Sequence, residues 1–202
     1  MKITVLFPTQ TEASLFQRDD VNAIISGVGL SATAYATTKL ICQSQNKPDL
    51  LIMAGIAGAY PHSGLKIGDV TLVATEVEGD LGFFTTSGFV HLAHLPIDME
   101  FERRHTLACP HIPAKPLFPL AHSMSLNAAM APFVNTGEVD LENMEGAAFF
   151  HTCLQENQAF LELRAISNFV NIHNDEWDMQ ASVKAMTAGL HRLIDSLLQS
   201  KQ

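Results

Sequence analysis

The feature that most constrains the fold of this chain is an alternation of short apolar runs with longer helical patterns. Residues 2–7 and 22–27 are β-type runs, and the strongly apolar run 50–55 follows Pro48. Between the last two, residues 30–43 are rich in Ala and Leu and contain no Gly or Pro, which predicts a helix. Strands separated by helices favour a mostly parallel sheet covered on both faces, and such sheets bind ligands at the carboxyl ends of their strands.

The second half of the chain continues this alternation. It predicts strands at 69–78 and 160–167 and helices at 144–155 and 179–198, besides a short helix at 9–16. Residues 83–95 predict short strand-like pieces. Several prolines lie between Pro96 and Pro132, and they predict connections and an edge strand rather than a second domain. We therefore expect a single domain over residues 1–202.

Composition limits the class of partner. The chain has 202 residues, of which 47% are hydrophobic, enough to bury one sizeable core. Its formal net charge of -9 has the wrong sign for a phosphate backbone, so we expect no nucleic acid partner. No run approaches the roughly eighteen apolar residues of a membrane helix. Residues 1–12 are typical of a first strand rather than a secretion signal, so we expect a cytoplasmic protein with no membrane partner.

The cysteines and histidines favour ordinary structural roles. Cys42, Cys109 and Cys153 are odd in number and widely spaced, which predicts buried free thiols in a reducing compartment. His91 and His94 lie in a strand-like run, where a three-residue spacing points their rings to opposite faces. No cysteine or carboxylate completes a ligand set beside them, so we expect neither a metal nor a cofactor.

Glu12 has two interpretations. Thr9 and Glu12 have the spacing of a capping box, in which Thr9 caps the helix and Glu12 reaches back to the Thr9 amide. That motif is common at helix starts, so the residues alone favour it. A carboxylate just beyond the first strand of an α/β sheet can also be a general base.

Two glycine-rich segments follow β-type runs. Residues 27–29 (GVG) and 55–58 (GIAG) let the backbone approach a ligand closely. Each segment taken alone favours a simple tight turn. Neither has the lysine of a P-loop or the GxGxxG spacing of a dinucleotide site.

Residues in the stretch 142–168 are further candidates for a ligand site. Glu145 lies in the first turn of a predicted helix, where the macrodipole favours a carboxylate. Met144 and Glu145 also lie where the chain enters the core, so function and structure are equally supported there. Asn168 ends an apolar strand, either as a turn residue or as a contact to a small ligand.

Five motifs together resemble a known family. MKITVLFPTQTEAS, SGVG, GIAG followed by KIGDV, NMEGAA and RAISN occur in the order found in the nucleoside phosphorylase and nucleosidase superfamily. Its members include purine nucleoside phosphorylases and methylthioadenosine/S-adenosylhomocysteine nucleosidases. Residues 81–131 carry the resemblance least. ENMEGAA, and RAISNFV followed by Trp177, are most similar to the futalosine hydrolase branch, whereas the methylthioadenosine enzymes carry RAISD.

This resemblance implies an α/β fold, a three-layer α/β/α sandwich with a mixed central sheet, assembled as dimers or multiples of dimers. It assigns Glu12 to activation of the attacking water, which reverses the preference for a cap alone, although both roles can coexist. It places Met144 and Glu145 at the ribose and Asn168 at N7 of the purine. The substrate-binding residues that it implies are Gly29, Ile56, Ala57, Gly58, Asn143, Met144 and Glu145.

Asn168 and the glycine segments together predict the reaction. An amide cannot supply a proton to N7, but it can donate to O6 of hypoxanthine and accept from a protonated N7. Phosphorolysis needs a cationic anion site, yet the glycine segments bring no arginine, and Ile56 stands where a hydroxyl residue is expected. Water is therefore the expected nucleophile, and futalosine the expected nucleoside.

Three alternatives remain open from the sequence. They are an adenine-releasing methylthioadenosine/S-adenosylhomocysteine or aminofutalosine nucleosidase, a purine nucleoside phosphorylase, and a non-catalytic nucleoside-binding module. For the group beyond the 5′ carbon of the ribose, the candidate contacts are Phe83, Phe84, Arg103 and Arg104.

Overall fold

The computed structural model describes residues 1–43, 47–96, 106–171 and 177–199. Within these residues the strands are β1 (Ile3–Phe7), β2 (Asn22–Ile25), β3 (Leu50–Ala59), β4 (Val70–Glu78), β5 (Gly82–Thr85), β6 (Gly88–His91), β7 (Leu107–Ala108), β8 (Leu120–Ser125), β9 (Leu141–Asn143) and β10 (Phe160–Phe169). The α-helices are α1 (Gln10–Ala13), α2 (Leu30–Gln43), α3 (Gly146–Gln155) and α4 (Met179–Gln199), and short 3-10 turns lie at Pro61–Ser63 and Leu92–His94.

The main sheet is mixed, as the family resemblance implies. Its strands lie in the order β10-β4-β8-β9-β3-β1-β2, β7 pairs with β4, and β10 also pairs with β3. β1, β2, β3 and β10 are mutually parallel, while β4 is antiparallel to β10 and β9 is antiparallel to β3. Because parallel strands end at the same edge, the carboxyl ends of β1, β3 and β10 come together there.

β3 corrects the prediction of a tight turn at residues 55–58. The strand continues to Ala59, and β10 pairs with it along this stretch. Gly55 is opposite Arg164, and a Cβ at Gly55 would lie only 2.5 Å from Nη1 of that arginine. The glycine therefore serves a close approach inside a strand rather than a turn.

Residues 106–132 hold β7, which pairs with β4 outside the main strand order, but also an interior strand that the prolines did not predict. This strand, β8, lies between β4 and β9 and is parallel to both. Its polar residues Ser123 and Ser125 are buried rather than facing water. Their hydroxyls contact polar side chains beneath the sheet edge that holds the parallel strand ends.

α2 and α4 follow their predicted patterns closely, whereas α1 is shorter than the predicted 9–16 and α3 begins at Gly146 rather than at 144. α2 has the predicted bounds, and α4 begins at the predicted residue. The buried residues of the predicted stripe on α4 are Val183, Met186, Leu190, Leu193 and Ile194, while Leu197 is partly buried against the same core. No α-helix of the described residues is both long and apolar enough to cross a membrane.

Two expectations about cysteine and histidine are wrong in part. Cys109 and Cys153 are buried free thiols, but Cys42 is exposed. The strand β6 ends at His91, and the 3-10 turn that follows brings the ring of His94 to 6.4 Å from that of His91. The two rings therefore lie near each other rather than on opposite faces.

Candidate active site

A cavity of about 190 Å³ opens where the parallel strands β1, β3 and β10 end. All the predicted site residues except Gly29 border this cavity. The residue before Gly29, Val28, borders it instead. Phe83 and Phe84, considered for the 5′ substituent, are exposed elsewhere, and Arg103 and Arg104 lie outside the described residues. The fold thus brings residues far apart in sequence to one small site.

Thr9 and Glu12 form one half of the predicted capping box, because the Glu12 carboxylate bonds to the Thr9 hydroxyl and not to the Thr9 amide. Thr9 is the N-cap of α1, since its hydroxyl oxygen accepts from the Glu12 backbone N–H at 3.1 Å. The Glu12 carboxylate does not serve the cap alone. Its Oε2 accepts from the Thr9 hydroxyl at 2.6 Å, and its Oε1 accepts from the Ile56 N–H at 3.0 Å. The carboxylate is therefore fixed at the cavity wall with 4% of Glu12 exposed.

The environment of Glu12 raises the pKa of its carboxyl above the ordinary value. Burial is the largest cause, because a carboxylate loses hydration inside the protein. The hydrogen bonds from Thr9 and Ile56 and the positive charge of Arg164 oppose the rise, while the negative charge of Glu145 adds to it. A carboxyl of this kind accepts protons more readily than one in water, as a general base requires.

Glu145 is held between an amide and a cation. Its Oε1 accepts from the Gly29 backbone N–H at 3.1 Å, and its Oε2 lies 3.2 Å from Nη1 of Arg164. It occupies the N-cap position of α3, but its side chain makes no capping hydrogen bond there. The carboxylate points across to the segment before α2, so the macrodipole alone does not explain its position.

Arg164 joins the parts of the site from below, and the sequence analysis missed it. It has no exposed surface. Its Nη1 donates to the Ile56 carbonyl oxygen at 3.1 Å and to Glu145, its Nη2 donates to Oδ1 of Asn143 at 3.2 Å, and its Nε donates to Oε1 of Glu162 at 2.7 Å. One guanidinium therefore bonds both to Glu145 and to the carbonyl of Ile56, the residue whose N–H binds Glu12.

A sequence signal for Arg164 does exist. Glu162 and Arg164 are two residues apart in an otherwise apolar strand, so their side chains leave the strand on the same face. Charged residues are almost never fully buried unless they are paired. Two opposite charges on one face of a buried strand thus predict an internal ion pair.

Asn143 shapes the β9–α3 junction. Its Oδ1 accepts from the backbone N–H groups of Glu145 and Gly146, each at 2.7 Å, and its Nδ2 donates to Oε1 of Glu76 at 2.6 Å. These contacts occupy both amide atoms with protein groups. Asn143 therefore borders the cavity while its side chain orients Glu145.

Asn168 lies on β10 with 1% of its surface exposed. Its Oδ1 accepts from the Ser167 hydroxyl at 2.8 Å, and its Nδ2 donates to the Phe169 carbonyl oxygen at 3.2 Å. This orientation is the favourable one, because reversing the amide would place two acceptor oxygens against each other at Phe169. The amide oxygen keeps a second lone pair and the amide nitrogen a second hydrogen for a ligand.

The rest of the cavity wall is mostly apolar. Met144 and Val28 border it, as does Trp177, the tryptophan that follows the RAISNFV motif. Such walls with a few polar groups are typical of small-molecule sites. Among the described residues, no group of three or more His, Cys, Asp or Glu side chains is arranged to hold a metal ion.

The chain is similar to two nucleosidases in sequence. It is 27% identical to a futalosine hydrolase of Thermus thermophilus over 217 aligned positions, covering 94% of each chain. It is 29% identical to a 5′-methylthioadenosine/S-adenosylhomocysteine nucleosidase of Anoxybacillus flavithermus, covering 74% of this chain and 69% of the relative. No known protein-family model matches the chain.

The fold is similar to that of solved nucleosidase structures. The futalosine hydrolase of Helicobacter pylori superposes with a TM-score of 0.77 at 18% identity, covering 97% of this chain and 98% of that one. At this identity the likeness establishes the fold. The resemblance to the nucleosidase superfamily, including futalosine hydrolase, that the five sequence motifs predict is thus confirmed by relatives in sequence and by the architecture.

Proposed function

We propose that this protein is an N-glycosidase that hydrolyses futalosine to hypoxanthine and dehypoxanthine futalosine, a step of an alternative menaquinone pathway. The observation that carries the hydrolytic reaction is the pairing of two backbone amides with carboxylates. Gly29 donates to Glu145, and Ile56 donates to Glu12. These amides belong to the two glycine-rich segments, where a phosphorylase would hold its anion.

The charges at this position favour water over phosphate. A phosphate beside Gly29 and Ile56 would meet two carboxyl groups and would compete with them for the same N–H donors. Arg164 is the nearby cation, but it is buried, and four of its five N–H groups bond to Glu162, the Ile56 carbonyl, Glu145 and Asn143. A neutral water meets no such repulsion and can donate a hydrogen bond to a carboxylate.

The base that leaves is proposed from the orientation of Asn168. Ser167 and the Phe169 carbonyl fix its amide, which retains one acceptor and one donor position. Hypoxanthine offers O6 as an acceptor and, when N7 is protonated, an N–H donor beside it. Adenine presents a 6-amino donor instead, so Asn168 would have to turn and lose its hydrogen bond to the Phe169 carbonyl, which can only accept. The arrangement supports a 6-oxopurine.

The proposed mechanism assigns one role to each polar group. Glu12 takes a proton from the water that adds to C1′, and the electrons of the broken C1′–N9 bond leave with the base. Glu145 binds the ribose hydroxyls and stabilises the positive charge that develops on the ring. Asn168 bonds to the departing hypoxanthine, whose added proton comes from solvent because an amide cannot supply it.

An adenine-releasing nucleosidase is the second candidate, because the relative from Anoxybacillus flavithermus is a methylthioadenosine/S-adenosylhomocysteine nucleosidase. Reverse-phase chromatography of reactions with futalosine, aminofutalosine and methylthioadenosine separates the candidates. We expect free hypoxanthine from futalosine at a rate that added phosphate does not raise. Release of adenine alone would support the second candidate, and phosphate-dependent release would support a phosphorylase.

We also propose that the chain assembles as a dimer or a multiple of dimers, as the resemblance implies. An aromatic cluster on the β5–β6 hairpin supports this. The ring of Phe84 lies 5.5 Å from that of Phe89 and 5.0 Å from that of Phe133, and Phe84 is 65% exposed. Exposed apolar patches of this kind often mark protein interfaces. Sedimentation equilibrium of the wild type and Phe84→Ser tests the assignment.

A further inference from the structure

Two carboxyl groups meet beneath the active site, in a position that the proposed mechanism does not use. Glu76 on β4 and Glu162 on β10 have no exposed surface. A Cβ at Gly146 would contact Oε1 of Glu76 and would lie 2.7 Å from Oε1 of Glu162. The two carboxyl groups therefore occupy the same small space against that glycine, and neither borders the cavity.

The two groups have different partners. Oε1 of Glu162 accepts from the cationic Nε of Arg164 at 2.7 Å. Glu76 accepts from neutral donors, with Oε1 2.6 Å from Nδ2 of Asn143 and Oε2 2.9 Å from the Ser125 hydroxyl. An ion pair favours the charged form of a carboxyl group more strongly than neutral donors do. Glu162 is therefore the ionised member of the pair.

One proton resolves the repulsion between the two groups. Two neighbouring buried carboxyls do not both ionise readily, and they titrate as a pair. Burial and the charge of Glu162 raise the pKa of Glu76 to about 8. Burial raises the pKa of Glu162 as well, but the charge and hydrogen bond of Arg164 and a hydrogen bond with Glu76 oppose that rise. The other charged or titratable groups that act on this pair are Arg164, Glu145, Cys109 and Cys153.

We propose that Glu162, accompanied by a protonated Glu76, is a positioning residue for hydrolysis that acts through Arg164. Its short bond to Nε leaves Nη1 of Arg164 directed at Glu145 and the Ile56 carbonyl, and Nη2 directed at Asn143. The Ile56 N–H in turn binds Glu12. This inference rests on the proposed function, because it assigns Glu162 to the alignment of the carboxylates that carry out that reaction.

Loss of the charge on Glu162 has a defined consequence. In Glu162→Gln, Arg164 keeps its charge and its ion pair with Glu145 but loses the ion pair with Glu162, so its field at Glu12 is less neutralised. The pKa of Glu12 then falls and its carboxylate becomes a weaker base. We expect kcat/KM to fall at least about tenfold. The fall should not exceed the roughly hundred- to ten-thousandfold that a general base contributes as a whole. The acid limb of the pH profile should move to lower pH.

Glu76→Gln is the matched control. Its amide imitates a permanently protonated Glu76 and leaves Glu162 ionised beside Arg164. We expect the acid limb of kcat/KM to stay where it is in the wild type. Arg164→Lys is a second perturbation of the same connection, because a lysine keeps the charge but cannot make the separate Nε and Nη contacts.

A measurement without turnover accompanies the kinetics. The backbone amides of Gly29 and Ile56 bind the two catalytic carboxylates, so their 1H and 15N resonances report the alignment. Glu162→Gln and Arg164→Lys should shift both resonances, and Glu76→Gln should leave both nearly unchanged.

The outcomes separate the two proposals. Unmoved Gly29 and Ile56 resonances in Glu162→Gln, or an unmoved acid limb in an active enzyme, would overturn the positioning role. Equal effects of Glu76→Gln and Glu162→Gln would overturn it as well. If the wild-type protein hydrolyses no nucleoside, the proposed function fails, and the two amide resonances still decide whether Glu162 positions the site.

Discussion

The backbone of Ile56 faces Glu12 with its N–H, which donates to Oε1 at 3.0 Å. The carbonyl of the same residue accepts from Arg164, and that arginine also holds Glu145. A single residue of β3 thus connects the two carboxyl groups proposed for catalysis, one through its N–H and the other through its carbonyl and Arg164.

Glu12→Gln should abolish most hydrolysis while the fold survives. The amide can keep a hydrogen bond to Ile56 through its oxygen, but it cannot accept a proton from water. We expect kcat to fall about a hundred- to ten-thousandfold, the usual contribution of a general base. Glu156→Gln, which removes an exposed carboxylate at the end of α3, is the control. Near-normal turnover in Glu12→Gln would leave Glu12 with a structural role only.

Thr9→Ala should move the acid limb of the kcat/KM profile to higher pH. Burial already raises the pKa of Glu12 above its ordinary value of 4.5, and the Thr9 hydroxyl opposes that rise by bonding to the carboxylate. Removing the hydroxyl therefore raises the pKa further, so a higher pH is needed to form the base. Thr9→Ser keeps a hydroxyl and should retain the wild-type limb. A limb that moves to lower pH in Thr9→Ala would contradict this account.

The sequence predicted the parts of the fold that depend on local pattern. The bounds of α2 and the apolar stripe of α4 follow from helical periodicity and were confirmed. The course of β3 through residues 55–58 was not predicted, because its glycines make room for side chains of another strand, β10. Arg164 close to Gly55 is a contact between distant parts of the chain, and no local propensity reports it.

The candidate site was predicted largely by resemblance to a known family. The structure adds the buried carboxyl groups of Glu76 and Glu162 behind it. The motifs placed Glu12, Glu145 and Asn168 in the site, and all three border one cavity. Glu76 and Glu162 carried no motif. The two carboxyl groups come together because β4 and β10 both pack against the start of α3. No short stretch of sequence predicts such a contact between distant parts of the chain.

Asn168→Asp should shift the preference toward adenine nucleosides. An aspartic acid can donate its proton to N7 of adenine, whereas an amide cannot. We expect the ratio of hypoxanthine to adenine release, measured by chromatography with futalosine and aminofutalosine, to fall at least about tenfold, which corresponds to about 1.4 kcal/mol. An unchanged ratio would remove the argument that Asn168 selects the base.

Glu76→Gln should change how stability depends on pH. The pKa of Glu76 is raised from 4.5 to about 8 in the folded protein, first by burial and then by the charge of Glu162. A raised pKa gives stability that is complete below 4.5 and is lost as the pH rises through about 8. Urea unfolding at several pH values should therefore show a decline in the wild type over this interval and a flatter curve in Glu76→Gln. An equal decline in both proteins would assign the proton to another group.

Gly146→Ala should destabilise the protein although alanine favours helices. A Cβ at this first residue of α3 would contact the Glu76 carboxyl and lie 2.7 Å from Oε1 of Glu162. Overpacking a filled site costs about 1–3 kcal/mol, more than the roughly 1 kcal/mol by which alanine exceeds glycine in a helix interior. Urea unfolding of Gly146→Ala, Glu76→Ala and the double variant tests the cause. Because shortening Glu76 makes room for the new methyl group, Gly146→Ala should cost less in the Glu76→Ala background, and strictly additive effects would place the clash elsewhere.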